Sequence, residues 1–261
     1  MFPTRGVKPA ILAIAALLVS AAIILARTHF VEGGQAPRER LGMMTSLPIY
    51  WDDGAGIEDI LTGEAQLPWV REALETHYEI VPLDTFASSG TGQGEAPAAS
   101  PLADLRHLLI VQPRGLSPAD NVALDRWVRA GGRLIYALDP MLTGSYAVPL
   151  GDPRHPTLTG LLPPVLPRWG LQMQFTERQP FELHEVATDF GPMPVMMAGQ
   201  ITLTDEGKQQ CQLEADGLLA TCRIEKGQVT LVADAVLFEL QEGDPGYADM
   251  LLALIAHGFE N

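Results

Sequence analysis

The 261-residue chain has two cysteines, Cys211 and Cys222, and few basic side chains. Seventeen lysines and arginines stand against 32 aspartates and glutamates, a formal net charge of −15. Five of the basic residues, Arg5, Lys8, Arg27, Arg38 and Arg40, fall before position 41 with only Glu32 and Glu39 against them, so the body is more acidic than the whole. A body of that sign argues against nucleic acid as a partner. No Gly-x-Ser-x-Gly or Gly-x-Cys-x-Gly elbow occurs, which removes the signature of hydrolase and amidotransferase nucleophiles. No Walker or dinucleotide fingerprint is present. None of His29, His77, His107, His155, His184 and His257 has a zincin or zinc-finger spacing. No cofactor is expected.

What is present begins with residues 106–140, which read as strand, helix, strand. His107 to Val111 is a short apolar run of the kind buried on both faces. Ser117 is an N-cap, Pro118 suits the first helical position, and Asp120 places negative charge in the first turn. Val122, Ala123, Trp127 and Ala130 recur at helical spacing, widened by Leu124 and Val128. Gly131-Gly132 ends the helix, and Arg133 to Leu138 is the second strand. Two buried strands joined by a helix imply a parallel crossover.

Around this unit the chain divides as follows. Residues 1–8 form a cytoplasmic N-terminus. Residues 9–27 contain an uncharged run, Ala10 to Ala26, long enough to cross a bilayer and read as an uncleaved anchor. Residues 28–46 form a linker, and an α/β domain spans 47–261. Its first strand is Leu47 to Trp51, and its second is Tyr78 to Leu83. Residues 57–76 are helical in two pieces. Residues 87–101 have no large apolar side chain and read as a disordered loop. Residues 171–225 form a β-rich insertion, and a helix from Tyr247 to Phe259 closes the chain.

Within the insertion, two strands flank Asp216-Gly217, a hairpin turn dipeptide. A two-residue loop makes paired positions sum to 433, so Cys211 faces Cys222 at about 5.5 Å between α-carbons. Either a disulfide or two buried thiols fits that placement.

Several expected strands end in aspartate: Asp52 and Asp53, Asp84, Asp139 and Asp234. Ligands of doubly wound sheets sit beyond the carboxyl ends of the strands. Asp52, Asp139 and Asp234 could therefore hold a hard cation such as magnesium. Alternatively, each aspartate turns its own loop. Trp51, Trp69, Trp127 and Trp169 lie in apolar patterns and are assigned to the core rather than to a sugar platform.

The segments Leu108-Leu-Ile-Val-Gln-Pro, Leu116-Ser-Pro-Ala-Asp and Leu124-Asp-Arg-Trp-Val-Arg-Ala-Gly-Gly-Arg-Leu-Ile-Tyr-Ala-Leu-Asp-Pro140 resemble the GldG-type auxiliary proteins of ABC transport systems. They are similar also to the domain-of-unknown-function 4350 family. Gly227 to Phe238, followed by a helix, resembles the closing unit of the same domain. The resemblance implies a flavodoxin-like, class I amidotransferase-like parallel sheet with helices on both faces and no catalytic nucleophile. With the anchor, it implies a non-catalytic, bacterial inner-membrane subunit with a periplasmic body, serving binding or assembly in a membrane complex, with ABC transporter subunits as partners. The alternatives are a metal-dependent hydrolase or phosphoryl-transfer enzyme using the strand-end aspartates, and a small-molecule or glycan receptor.

Overall fold

A computed structural model describes residues 38–52, 54, 57–62, 66–88, 99–240 and 245–260. The expected anchor at 9–27, its flanks to residue 37, Asp53 and residues 89–98 of the expected loop lie outside the described residues.

The first strand, β1, is Glu39–Thr45, inside the segment read as a linker. The correction has a physical basis. Leu47 to Trp51 contains Pro48, whereas Leu41, Gly42, Met43 and Met44 are all buried. Gly42 leaves room for its neighbours, since a β-carbon there would come within 2.7 Å of a Leu105 methyl, which would have to shift. The short helix α1 (Ile57–Thr62) and α2 (Trp69–Glu75) precede β2 (Tyr78–Pro82). Then come β3 (His107–Val111), α3 (Pro118–Arg129) and β4 (Arg133–Ala137), the crossover unit.

Helix α3 starts with a reciprocal cap: the Ser117 hydroxyl accepts from the Asp120 N–H, and Asp120 accepts from the Ser117 N–H. Gly131 ends it in a left-handed conformation, φ 123°. Its buried stripe is Asp120, Leu124 and Val128, while Val122 is exposed. The expected stripe through Val122 is therefore rotated. Asp120 draws the stripe toward itself by accepting hydrogen bonds from Thr85 Oγ1 and from the N–H groups of Phe86 and Ala87.

After α4 (Val165–Arg168) come β5 (Leu171–Gln174), β6 (His184–Thr188), β7 (Gly191–Val195) and β8 (Gln200–Leu203). Strands β5 and β8 pair as one small antiparallel sheet, and β6 and β7 as another. One helical turn, α5 (Gly207–Gln210), leads into β9 (Cys211–Glu214), the first strand of the hairpin. Strands β10 (Leu219–Ile224) and β11 (Gly227–Val232), then α6 (Val236–Glu239) and α7 (Pro245–Glu260), complete the chain.

The main sheet runs β2-β1-β3-β4-β11-β10-β9. The pairs β2–β1, β1–β3, β3–β4 and β4–β11 are parallel, while β10 and β9 add antiparallel. The cysteine hairpin is thus an extension of the main sheet. Its register pairs Cys222 with Cys211 and Leu219 with Glu214. Asp216 (φ 53°) and Gly217 (φ 87°) both adopt the positive φ that this turn demands. Cys211 and Cys222 form a disulfide, their α-carbons 3.9 Å apart.

Helices cover both faces. On one, Leu109, Val111, Ile135 and Ala137 pack with Val70 and Leu74 of α2 and with Leu251, Leu254 and Ile255 of α7. On the other, Leu108, Ile110, Leu134 and Tyr136 pack with Leu124 and Val128 of α3 and with Val165, Leu166 and Trp169. This double cover explains why every residue of β3 is buried.

Candidate functional site at the carboxyl end of the parallel strands

Parallel strands deliver their carboxyl ends to one edge of the sheet. Ser46, Gln112, Asp139 and Asp234 follow β1, β3, β4 and β11 there. The chain passes from β1 to β2 on one side and to β3 on the other, so the sheet's switch point lies between β1 and β3.

Gln112 occupies the turn after β3. It is fully buried with φ 40°, an unusual conformation for a side chain of its size. Its amide nitrogen donates to the carbonyls of Asp139 (3.0 Å) and Thr157 (2.8 Å), and its amide oxygen accepts from the Asp139 N–H (2.9 Å). Its own carbonyl accepts from the Ser46 hydroxyl. A strained strand-to-helix turn is where an elbow nucleophile would stand. Here an amide fills it and ties β3 to the loops after β4. No motif identified this residue; the only trace is a Gln-Pro-x-Gly turn following a buried strand.

Asp139 and Asp234 are fully buried just beyond the ends of the neighbouring strands β4 and β11. Asp139 accepts from the N–H groups of Met141 (2.7 Å) and Ala235 (3.1 Å). Asp234 accepts from those of Val236 (2.6 Å) and Met196 (3.1 Å). Burial pushes the Asp139 carboxyl up to about 7, opposed by its two N–H donors and reinforced by Glu239. Burial, then the negative charge of Asp139, raises Asp234 well above the usual range. Each aspartate turns its own loop and one neighbour.

Asp52 does not join them. It is exposed and accepts from the Gly54 N–H. Among the described residues no group of three or more histidine, cysteine or acidic side chains could hold a metal ion. The expected metal set Asp52, Asp139 and Asp234 is therefore corrected: Asp139 and Asp234 lie together and each accepts two backbone N–H groups, and Asp52 is not gathered with them.

Two cavities flank the segment Leu47 to Asp52. The smaller, about 480 Å³, is lined by Ser46, Tyr50, Trp51, Asp52, Asp84 and Arg154. The larger, about 850 Å³, is lined by Asp52, Trp69, Glu72, Tyr146, Phe238 and Glu239. Glu239 accepts from the Tyr146 hydroxyl and from the N–H groups of Thr143 and Gly144, which fixes the rim. A more voluminous open groove runs along α3 past Arg106 and Trp127. It lies away from the strand ends and gathers no acidic side chain, so it is not the candidate site.

Trp51 is 53% exposed, which corrects its assignment to the core. Trp169 is fully buried and donates to Asp125 at 2.7 Å. Trp127 is half-buried and donates to the Leu105 carbonyl at 3.0 Å. The signal that separates Trp51 is the Asp52-Asp53-Gly54 turn directly after it.

No family model matches this chain, and no curated protein matches it. Solved structures similar to it include an exo-β-1,4-mannosidase from an Opitutaceae bacterium (15% identity, 85% of this chain and 33% of that one, TM-score 0.44). A β-galactosidase from a Rahnella species matches at 13% identity over 85% of this chain and 31% of its own, TM-score 0.46. A cytoplasmic protein from Salmonella typhimurium matches at 12% identity over 84% of this chain and 98% of its own, TM-score 0.48. The chain spans about a third of the length of the two glycosidases.

Two expectations are corrected here. The assignment as a non-enzyme is not carried further; enzymes are among the similar solved structures. The likenesses are too remote to supply an activity in its place. The inner-membrane location with an extracytoplasmic body is also withdrawn. Among the described residues, which leave out the expected anchor at 9–27, no helix is long and apolar enough to cross a membrane.

Proposed function

We propose that residues 39–261 are a ligand-binding domain of the GldG-type and domain-of-unknown-function 4350-like group, taking a small polar molecule into the cleft at the carboxyl end of its parallel strands. The observation that carries this reading is the pair of cavities meeting at Leu47 to Asp52, beyond the ends of β1 and β2. Sites of this class are concave, of about 300–1,000 Å³, and favour that end of an α/β sheet. The strand order β2-β1-β3-β4-β11 agrees with the flavodoxin-like, amidotransferase-like domain that the sequence resemblance implies. At the turn after β3, where an elbow nucleophile would stand, this chain carries the buried amide of Gln112, which suits a binding role in this reading. In this reading the partner is an ABC-type transport assembly, and ligand occupancy is what the domain reports to it.

The test is methyl NMR on the full chain, screened against mixtures of sugars, amino acids, nucleotides and organic acids. At least one class should shift the methyl signals of Met43, Leu47 and Ile49, leaving those of Leu124 and Val128 under α3 unmoved. A screen in which no class moves the cleft methyls would overturn the reading. In-cell crosslinking through the full chain should recover transporter subunits; recovery of none would remove that partner.

A further inference from the structure

We propose that the smaller cavity is a saccharide site with Trp51 as its stacking platform. The proposal rests on the cleft-binding reading and names the class of ligand.

A half-exposed tryptophan in a loop ordinarily gains entropy by moving. Trp51 is instead braced from behind. Its indole meets the Tyr50 ring edge-on, with ring centroids 5.0 Å apart at 88°. The Arg71 guanidinium lies 4.3 Å from the Tyr50 ring centroid and 5.2 Å from that of Trp51. Arg71 is itself fixed, donating to the Tyr50 carbonyl (3.2 Å) and to Glu75 (2.7 Å). The bracing leaves 53% of Trp51 uncovered. An aromatic surface that is immobilised yet open has already lost the freedom that ligand binding would otherwise remove.

The walls select the ligand. The negative face of an indole attracts the polarised C–H groups on the apolar side of a sugar ring. Asp52 and Asp84, both exposed, line the same cavity as hydroxyl acceptors. One Asp52 oxygen already holds the Gly54 N–H, which sets the carboxylate's orientation. A phosphorylated ligand would meet two like charges, and the arginine of the wall, Arg154, is already paired with Asp152 at 2.9 Å. A flat aromatic ligand without hydroxyls would stack but leave both carboxylates without donors. A neutral saccharide satisfies the platform and the acceptors together.

The experiment is a glycan array of neutral and charged mono- to hexasaccharides probed with the full chain, followed by calorimetry on the best binder. Trp51→Ala, Trp51→Phe and Asp84→Asn are compared with the unsubstituted protein. A neutral saccharide should bind, with affinity falling about tenfold or more in Trp51→Ala. Trp51→Phe should retain part of the affinity, and Asp84→Asn should weaken it. Melting temperature should stay unchanged in Asp84→Asn, a change at an exposed position, and fall by only a few degrees in Trp51→Ala, which loses the contacts to Tyr50 and Arg71, so the lost affinity is not lost folding. Saccharide binding indifferent to Trp51→Ala would overturn the proposal. So would an array without binders beside a methyl screen in which another class moves the cleft signals; the cleft reading would then stand and the saccharide class fall. An empty array beside a silent methyl screen would remove both.

Discussion

Asp139 and Asp234 lie buried beside one another, extending the register in which Ala137 of β4 faces Val232 of β11, and among the described residues neither forms an ion pair. Between them they hold four backbone N–H groups, in the loops after β4, β7 and β11. The pair is a joint at the carboxyl end of the sheet, and its protonation is coupled to folding.

That coupling has a definite sign. The folded-state pKa of Asp139, about 7, lies above the roughly 3.9 of an unfolded aspartate, and Asp234 is raised as well. The folded protein therefore binds more protons between these values. Stability should be fully present below about pH 4 as far as this pair is concerned, and fall as pH rises through 7. The Asp139 contribution to the fall is about 4 kcal/mol at most. Urea unfolding from pH 4.5 to 8 checks the slope, which should flatten in Asp139→Asn. That variant also loses one acceptor toward Met141 or Ala235, so it should be weaker at low pH.

Asp120 behaves in the opposite sense. Burial would raise its carboxyl, but hydrogen bonds from Ser117, Thr85, Phe86 and Ala87 outweigh this and hold it down to about 2. Its stabilisation is present above about pH 4 and is lost as pH falls toward 2. Asp120→Ala removes the reciprocal cap of α3 and the tether to residues 85–87 together. It should cost roughly 2–4 kcal/mol in denaturant unfolding. It should also speed proteolysis near residue 87.

Gln112→Glu keeps the shape of the elbow residue but replaces a buried donor with a carboxylate facing the carbonyls of Asp139 and Thr157. A loss of about 3 kcal/mol or more is expected. Gln112→Gly relieves the positive φ but surrenders three side-chain hydrogen bonds. It should also be destabilised, by less. Melting curves of the two variants give the order.

The disulfide closes a loop with a sequence separation of 11 at the antiparallel edge of the sheet. Replacing both cysteines with alanine should lower stability by roughly 2–3 kcal/mol. Peptide mapping without reduction should recover Cys211 and Cys222 in one linked fragment.

Much of the fold could be read where side-chain pattern and turn chemistry agree. The Ser117-Pro118 cap, Gly131-Gly132 stop and two apolar strands mark the crossover, and Asp216-Gly217 sets the hairpin register. Strand β1 was hidden because Glu39 and Arg40 open it and its buried part holds a glycine and two methionines, giving no β-branched signal. Leu47 to Trp51 imitated a strand by its apolar content, yet it forms the rim of the cleft. The site was legible only as strand ends. Aspartates there proved to be loop acceptors, while Trp51 was concealed by its apolar neighbours. Sequence pattern reports burial, and a braced, uncovered aromatic has the pattern of a buried one.

The four tryptophans provide the most direct test of the cleft. Trp51 stands in the smaller cavity and Trp69 in the larger, Trp127 lies along α3, and Trp169 is buried. Fluorotryptophan labelling of the full chain gives one resonance for each, assigned by single Trp→Phe substitutions. On titration with the array's best saccharide, the Trp51 resonance should move, with Trp69 following at most weakly, while Trp127 and Trp169 stay fixed. Movement of Trp127 alone, or of none of the four, would contradict the cleft as the binding site.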